Sequence, residues 1–534
     1  MPGAVRVAHG SKLPYRTCAP DGDARGSPPC PPEAKKNSKK YITMKKIPYI
    51  FIILIPLLFL NACTPKVGGG VDVTRFGLDD AVIAADLGIF PQDLAVYADR
   101  TGRDAQLMDS ARQGMENARF DRHFFAAWNA GVPHMAKAMA FEGVKNMNPN
   151  RGYAENLRLW DTARWQGVVD NAFMEGYGSI PARPAITVDT AHLRRLPTDV
   201  PFFLDPGKGG EGFPFDYMQN SVLWPGTPVS ISHISRDRLW AFVQTNLVSG
   251  WTHVANLAAV DAAFMDAWRS RPMAVIIGDG VDIVVRDGRT DAVTGTGPTV
   301  KAHVGTVLPL ADGNGLMPPE APYVFVHVPL RDADGGAVLA TALAPLESTR
   351  QKPLPLTPGN IARVGNAMMG QPYGWGGMFA QRDCSATMRD MFAAFGIWMP
   401  RNSRPQGRMG LRLELGGLSP DAKEEKIMRE GVPFFSLVSM PGHIGLYLGS
   451  YPGKDARGVE RNVPVMFHNV WGLRVDKGEG ETKTVERAVI GKAVVTSLRP
   501  GAEHPSISTP ASILDRVNGL AILPDALPGE RGGR

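Results

Sequence analysis

The sequence predicts an α+β fold: a helical N-terminal domain, two small β-barrels, and a C-terminal domain where a cysteine-bearing helix precedes an antiparallel sheet. Three observations carry this expectation. Residues 76–200 are helix-like, with helix formers dense in Ala105–Arg119 and Ala136–Lys145. Between residues 201 and 348, short β-type runs recur and are broken by turn chemistry, as in small barrels. After Cys384, Met388, Met391, Phe392 and Phe395 fall at i, i+3, i+4 and i+7, the apolar face of a helix.

At about 100–200 residues per domain, 534 residues suggest three or four domains. The chain is 44% hydrophobic and 21% charged, which excludes a polytopic membrane protein and a mostly disordered chain. Gly (59) and Pro (45) are abundant without a Gly-X-Y period, favouring turns and short strands. The net charge of +6 misleads, because residues 1–62 hold ten Lys or Arg against three Asp or Glu. From Cys63 onward the charge is near −1, so no nucleic-acid footprint remains.

The leader comes first. Lys45 and Lys46 precede an apolar run, Pro48 to Leu60, which is shorter than the roughly 20 residues a membrane-spanning helix needs. Leu60-Asn61-Ala62-Cys63 then resembles a bacterial lipoprotein signal, which implies cleavage before Cys63 and lipidation of its thiol. Residues 1–43 read as an upstream extension, 44–62 as the signal peptide and 63–75 as a tether. If translation starts at Met44, Cys18 and Cys30 drop out, Cys63 is the anchor, and Cys384 is the one remaining thiol. That excludes a disulfide framework and a multi-cysteine zinc site.

The helical domain (76–200) carries no catalytic motif, and His123 and His134 read as isolated histidines. The first barrel (201–260) opens on Phe213-Pro214-Phe215-Asp216-Tyr217 and continues in Val229–His233, Leu239–Val243 and Trp251–Val254. Trp240 and Trp251 read as barrel core. The second barrel (270–348) comprises Met273–Ile277, Val281–Arg286, Pro322–Val328 and Ala337–Ala342. Asp279, Asp282 and Asp287 lack the spacing of a calcium loop and read as turn acids. Gly207–Gly212 lacks the ending of a phosphate loop.

The chemistry lies in residues 355–500, with 501–534 read as a tail. Ala362–Met369 is helical and leads into Pro372-Tyr373-Gly374-Trp375-Gly376-Gly377, then Asp383-Cys384-Ser385. Asp383 is a good N-cap, so Cys384 sits in the first helical turn, where free N–H groups and the dipole favour a thiolate. Downstream, Gly442-His443-Ile444-Gly445 reads as a turn into a strand, and Val463–Phe467 leads to His468-Asn469. A hairpin can bring His443 and His468 together as base and orienting residue, with Asn469 the nearest substitute.

These segments, with Pro400-Arg401-Asn402-Ser403-Arg404-Pro405-Gln406, resemble the NlpC-type papain-like cell-wall peptidases. Phe213–Ser221, Trp240-Ala241 and Ser249-Gly250-Trp251 resemble the first of two bacterial SH3-like domains in a multidomain branch of γ-D-glutamyl-L-diamino acid endopeptidases. The resemblance implies Cys384 as nucleophile, His443 as general base, His468 as orienting residue and Tyr373 near the oxyanion. It also implies that Asp383, Ser385 and Ser403 hold a free N-terminal L-Ala. Asp216 is a further candidate for the substrate pocket. Each has a plainer reading: Asp383 as cap only, Tyr373 and Trp375 as packing, Ser403 as a turn cap. Tyr451–Asn462, between the two histidines, looks like an insertion.

The expected protein is an exported, membrane-anchored lipoprotein on the periplasmic side of the envelope. Its partners are murein peptides or peptidoglycan, with no metal, no organic cofactor and no nucleic acid. The alternatives are a hydrolase of another murein bond, such as the D-Ala cross-link, and a non-catalytic peptidoglycan-binding lipoprotein.

Overall fold

Acidic caps start the N-terminal helices. Asp93, Asp109 and Asp161 accept backbone N–H groups of Ala95, Arg112 and Arg164, opening helices Leu94–Thr101, Ser110–Phe124 and Thr162–Asn171. Such a cap contributes about 1 kcal/mol by filling one of the orphan donors of a helix start. The stretch expected at Ala136–Lys145 is two short helices, Lys137–Ala140 and Glu142–Asn146.

The computed structural model describes residues 86–129, 135–208, 210–286, 297–311, 322–454, 459–477, 484–501 and 513–523. The extension, signal, Cys63, tether, His134, Asp287 and part of the Gly207–Gly212 loop lie outside them. His123 stacks on Trp398 with ring centroids 4.1 Å apart.

The helical region ends before residue 200. Arg183–Thr187 and Ala191–Arg194 are strands of a seven-stranded antiparallel sheet with Gln219–Leu223, Pro228–Ile234, Trp240–Gln244, Gly250–His253 and Leu257–Ala259. These two strands are only five and four residues long, too short for alternation to stand out locally. Trp251 is fully buried and Trp240 nearly so, as core residues of this first β-domain.

The second β-domain has two sheets. One joins Val281–Val285, Thr299–Ala302, Tyr323–Arg331 and Ala337–Pro345; the other joins Met273–Ile276, Val307–Pro309 and Thr349–Gln351.

The C-terminal domain is built on a six-stranded antiparallel sheet in the order Leu411–Glu414, Gly519–Ile522, Ser436–Met440, His443–Lys454, Glu460–Lys477, Thr484–Ser497. The expected C-terminal tail therefore supplies a sheet strand. Gly519–Ile522 pairs with both neighbours, and its Leu520 and Ala521 are fully buried.

Strand alternation sorts this sheet into two faces. Ile444, Leu446, Phe467 and Val495 share a core with Met388, Met391 and Phe392 of the helix Cys384–Ala393. Tyr447 and Met466 pack on the other side with Ile427 and Leu514. Burying each large apolar side chain contributes roughly 1.5–3 kcal/mol, so the helix is fixed mainly by this packing. The insertion-like stretch lengthens a hairpin. Leu446 pairs with Phe467 and the pairing runs out to Lys454 opposite Glu460, so added residues extend the arm without moving its base.

Candidate active site

Cys384 lies in the first turn of its helix and is 6% exposed. The preceding Asp383 caps the helix, accepting the Ala386 N–H at 2.8 Å. The same carboxylate takes four more hydrogen bonds. Ser385 Oγ donates at 3.0 Å, Arg401 Nη1 at 3.1 Å, Arg401 Nη2 at 2.7 Å and the Gly376 N–H at 3.2 Å. A carboxylate has about four lone-pair positions, so these five donors leave no place for a substrate ammonium. Asp383 is cap and ion-pair partner at once, which differs from the expected role of ammonium ligand. Burial works against its charge, yet the Arg401 guanidinium and the hydrogen bonds hold its carboxyl below the usual range. Arg401 also donates to Ser221 Oγ of the first β-domain at 2.9 Å.

His443 begins its strand and His468 lies inside the neighbouring one. Because Leu446 faces Phe467, the two histidines sit diagonally on one face, with His443 Nε2 and His468 Nδ1 2.8 Å apart. Gly445 permits this: a Cβ there would come within 2.9 Å of the His468 Cβ. Asn469 points to the opposite face and donates its amide to the Arg382 carbonyl at 2.9 Å. It therefore supports the backbone ahead of Cys384, and the residue in contact with His443 is His468.

The tautomers follow from the next partner. Thr496 Oγ1 donates to the Ser497 carbonyl at 2.7 Å, so toward His468 Nε2, 3.0 Å away, it can only accept. His468 then carries its proton on Nε2 and presents a bare Nδ1. His443 must donate its Nε2–H to that nitrogen, which leaves His443 Nδ1 bare and able to take a proton. Thr496 carries no signal of this role in sequence; only the strand pairing brings it beside His468.

Electrostatics make the resting site neutral. Burial first, then the Asp383 charge, pushes the Cys384 thiol up to about 12, against the N–H groups of Ile444 and Ser385. Burial and the Arg516 charge bring His443 down to about 4. Burial and His443 hold His468 well below its ordinary value. The expected helix-terminus effect on the thiol is present but loses to desolvation.

Tyr373 stands beside this group. Burial, then Cys384 and Asp383, raises its hydroxyl well above the ordinary tyrosine value. Tyr373 and Trp471 lie 6.1 Å apart by ring centroids, Phe215 and Trp375 5.1 Å, Phe213 and Trp471 6.1 Å. These rings form an aromatic wall shared by the catalytic and first β-domains. The Gly376-Gly377 pair lets the two approach. Both residues have positive φ, and a Cβ would come within 2.7 Å of the Gln219 carbonyl or 2.6 Å of Val222.

Asp216 has a structural place that differs from the expected acid in the substrate pocket. It is buried, pairs with Arg194 at 2.7 Å, and accepts the N–H groups of Phe202 and Met218. Arg194 in turn holds Gln219, whose amide donates to the Gly376 carbonyl at 3.2 Å. Ser403 is half-buried and starts the short helix Ser403–Gln406. Gln406 donates to the Ser385 carbonyl at 2.9 Å.

Known proteins share this architecture. Residues 52–177 match the NLPC_P60 stabilising domain (N-terminal), residues 201–253 an SH3 domain of SH3b1 type, and residues 370–479 the NlpC/P60 family. An NlpC/P60 endopeptidase from Photobacterium damselae subsp. piscicida is similar in fold, with TM-score 0.70 and 24% identity over 82% of this chain and 97% of its own. An NlpC/P60 family protein from Bacillus cereus ATCC 10987 aligns with TM-score 0.39 and 16% identity, over 64% of this chain and 100% of its own. No curated protein is significantly similar to the chain. The chain thus carries an NlpC/P60 catalytic domain, of a cysteine peptidase family, preceded by an N-terminal stabilising domain and an SH3b domain.

Proposed function

We propose that this peptidase hydrolyses the γ-D-glutamyl–L-diamino acid bond of murein peptides whose N-terminal L-Ala is free. In this reading Cys384 is the nucleophile, His443 the general base and His468 the residue that orients it. The observation that supports it most is the hydrogen-bond chain from Ser497 through Thr496 and His468 to His443, which leaves one bare imidazole nitrogen. His443 Nδ1 takes the thiol proton as sulfur attacks the γ-carbonyl carbon, and a tetrahedral oxyanion forms. Backbone N–H groups near Cys384 hold that oxyanion, with Tyr373 at hand. The proton passes to the leaving amine, the thioester forms, and water releases the acid.

The free-end preference is attributed to the first β-domain rather than to an Asp383–ammonium contact. Its strand Gln219–Leu223 packs on the Trp375–Ala380 loop, and its Phe213 and Phe215 extend the aromatic wall. A peptide still amidated to a glycan is bulkier at that end. Mass spectrometry of L-Ala-γ-D-Glu-diamino acid and its N-acetyl form tests this. We expect cleavage after γ-D-Glu and a kcat/KM at least about a hundredfold lower for the acetylated peptide. Equal rates for the two peptides, or cleavage at another bond, would overturn it. Anchoring through a lipidated Cys63 on the periplasmic side completes the proposal; a Cys63→Ser variant that stays with the membrane fraction would remove that part.

A further inference from the structure

We propose that Arg382 is a positioning residue for Cys384, and that the second β-domain acts as the clamp that holds it. The proposal rests on the function above only in taking Cys384 as the nucleophile.

Arg382 stands two residues before Cys384, and its side chain is 1% exposed. Nη2 donates to Asp279 Oδ1 at 2.7 Å and to the Val304 carbonyl at 3.1 Å, both in the second β-domain. Nε donates to Asp390 Oδ2 at 2.7 Å, on the nucleophile helix itself. Nη1 donates to Gln371 Oε1 at 2.9 Å, in the loop that leads to Tyr373. The backbone is fixed as well: the Arg382 carbonyl accepts from Asn469 Nδ2 and the Gly374 N–H, each at 2.9 Å. One residue thus ties together a domain, a helix, a loop and the histidine strand.

The partner side is equally built. Asp279 sits in the Gly278-Asp279-Gly280 turn and also accepts the Val304 N–H at 3.0 Å, with His303 Nδ1 3.2 Å away. The His303 ring stacks at 4.3 Å on Trp224 of the first β-domain, and Trp224 Nε1 donates to Asp390 Oδ2 at 3.0 Å. Two guanidinium groups, Arg382 and Arg389, are balanced by two carboxylates, Asp279 and Asp390. A buried guanidinium that loses a carboxylate must find water or a new partner. Without Asp279, Arg382 has one carboxylate left and a vacancy on the barrel side. Its movement would carry the segment ahead of Cys384, and small displacements of a nucleophile cost rate more than binding. Of the aromatic wall, Phe213 and Phe215 belong to the first β-domain, outside the segment that Arg382 holds.

The test is Asp279→Asn in the full chain. Four quantities are read: kcat and KM on the free tripeptide, the rate at which iodoacetamide labels the Cys384 peptide, and Tm. Positioning predicts that kcat falls at least about tenfold, KM changes less than about threefold, and labelling slows with kcat. Asp279→Glu should recover part of kcat. In Asp279→Asn/Arg382→Gln the charge imbalance is gone, so Tm should return while kcat does not. A folded Asp279→Asn protein with wild-type kcat and labelling overturns the proposal, as does a double variant that regains kcat with Tm. Should Asp279→Asn fail to fold, His303→Gln, which keeps every carboxylate and guanidinium, must still slow labelling, or the proposal falls. Labelling needs no substrate. A wild-type protein that labels normally but leaves the tripeptide intact therefore counts against the proposed function alone.

Discussion

The two ends of the proposed catalytic group are held by opposite means. Around Cys384 the supports are buried charges: Asp383 with Arg401, and Arg382 with Asp279 and Asp390. Around His443 they are neutral, a chain of hydrogen bonds through His468 and Thr496 set by strand register. Charged supports reach across domains, since Arg401 touches Ser221 and Arg382 touches Asp279. Register reaches only along the sheet, which is why a lengthened hairpin between the histidines leaves their pairing intact. Cys384, the proposed nucleophile, therefore depends on domain docking, and His443, the proposed base, depends on the sheet.

The largest effect expected comes from removing either end. Cys384→Ser should abolish turnover with the fold retained, and His443→Ala should lower kcat by several orders of magnitude, measured on the free tripeptide. Wild-type-like rates from either would end the cysteine-peptidase mechanism.

Next is the charged end. Arg401→Met leaves the buried Asp383 carboxylate without its cation, and breaking a buried pair this way costs about 3–5 kcal/mol. Denaturant unfolding should register that loss. Because Arg401 bridges to Ser221, limited proteolysis should also find the first β-domain loosened. A change below about 1 kcal/mol would show that the pair is not what supports Asp383.

The neutral end should respond to chemistry and to pH. Thr496→Val keeps the shape but removes the acceptor that fixes the His468 tautomer, so kcat should fall about tenfold or more with KM nearly unchanged. His443 and His468 have folded values below their unfolded ones, so the stability they contribute is present above about pH 6.5. It is lost as pH falls from there through the folded values, about 4 for His443. Asp279 and Asp383 are also depressed, but their unfolded reference is near 3.8, so the charged end weakens only below about pH 4. Thermal melts of wild type and His468→Gln should diverge in slope between these limits, with the variant flatter. Parallel slopes there would mean the histidines are not buried neutral.

What the sequence made legible was local. Asp383 ahead of an apolar periodicity announced the Cys384 helix, and two β-type runs, one beginning at His443 and one leading to His468, announced the hairpin. The short strands Arg183–Thr187 and Gly519–Ile522 escaped because their strand character comes from distant partners, although the apolar Leu520-Ala521-Ile522 run was a signal. Arg401 lay in view inside Pro400–Gln406, but its pairing with Asp383, 18 residues away, has no local mark. Arg382 and Asp279 are 103 residues apart and belong to different domains, and Thr496 needed strand pairing to become a partner of His468. Asp216 misled because an acid in a motif looks the same whether it faces a cleft or a buried arginine.

The pH dependence of Cys384 alkylation tests the central claim, a neutral resting thiol at Cys384 and a neutral imidazole at His443, most directly. Iodoacetamide labelling of the wild-type Cys384 peptide would be followed from about pH 5 to pH 10. With the thiol pushed up to about 12, the rate should still be rising about tenfold per pH unit at the top of that range. A rate that levels off from about pH 5 or 6 onward would reveal a thiolate–imidazolium pair and contradict the account.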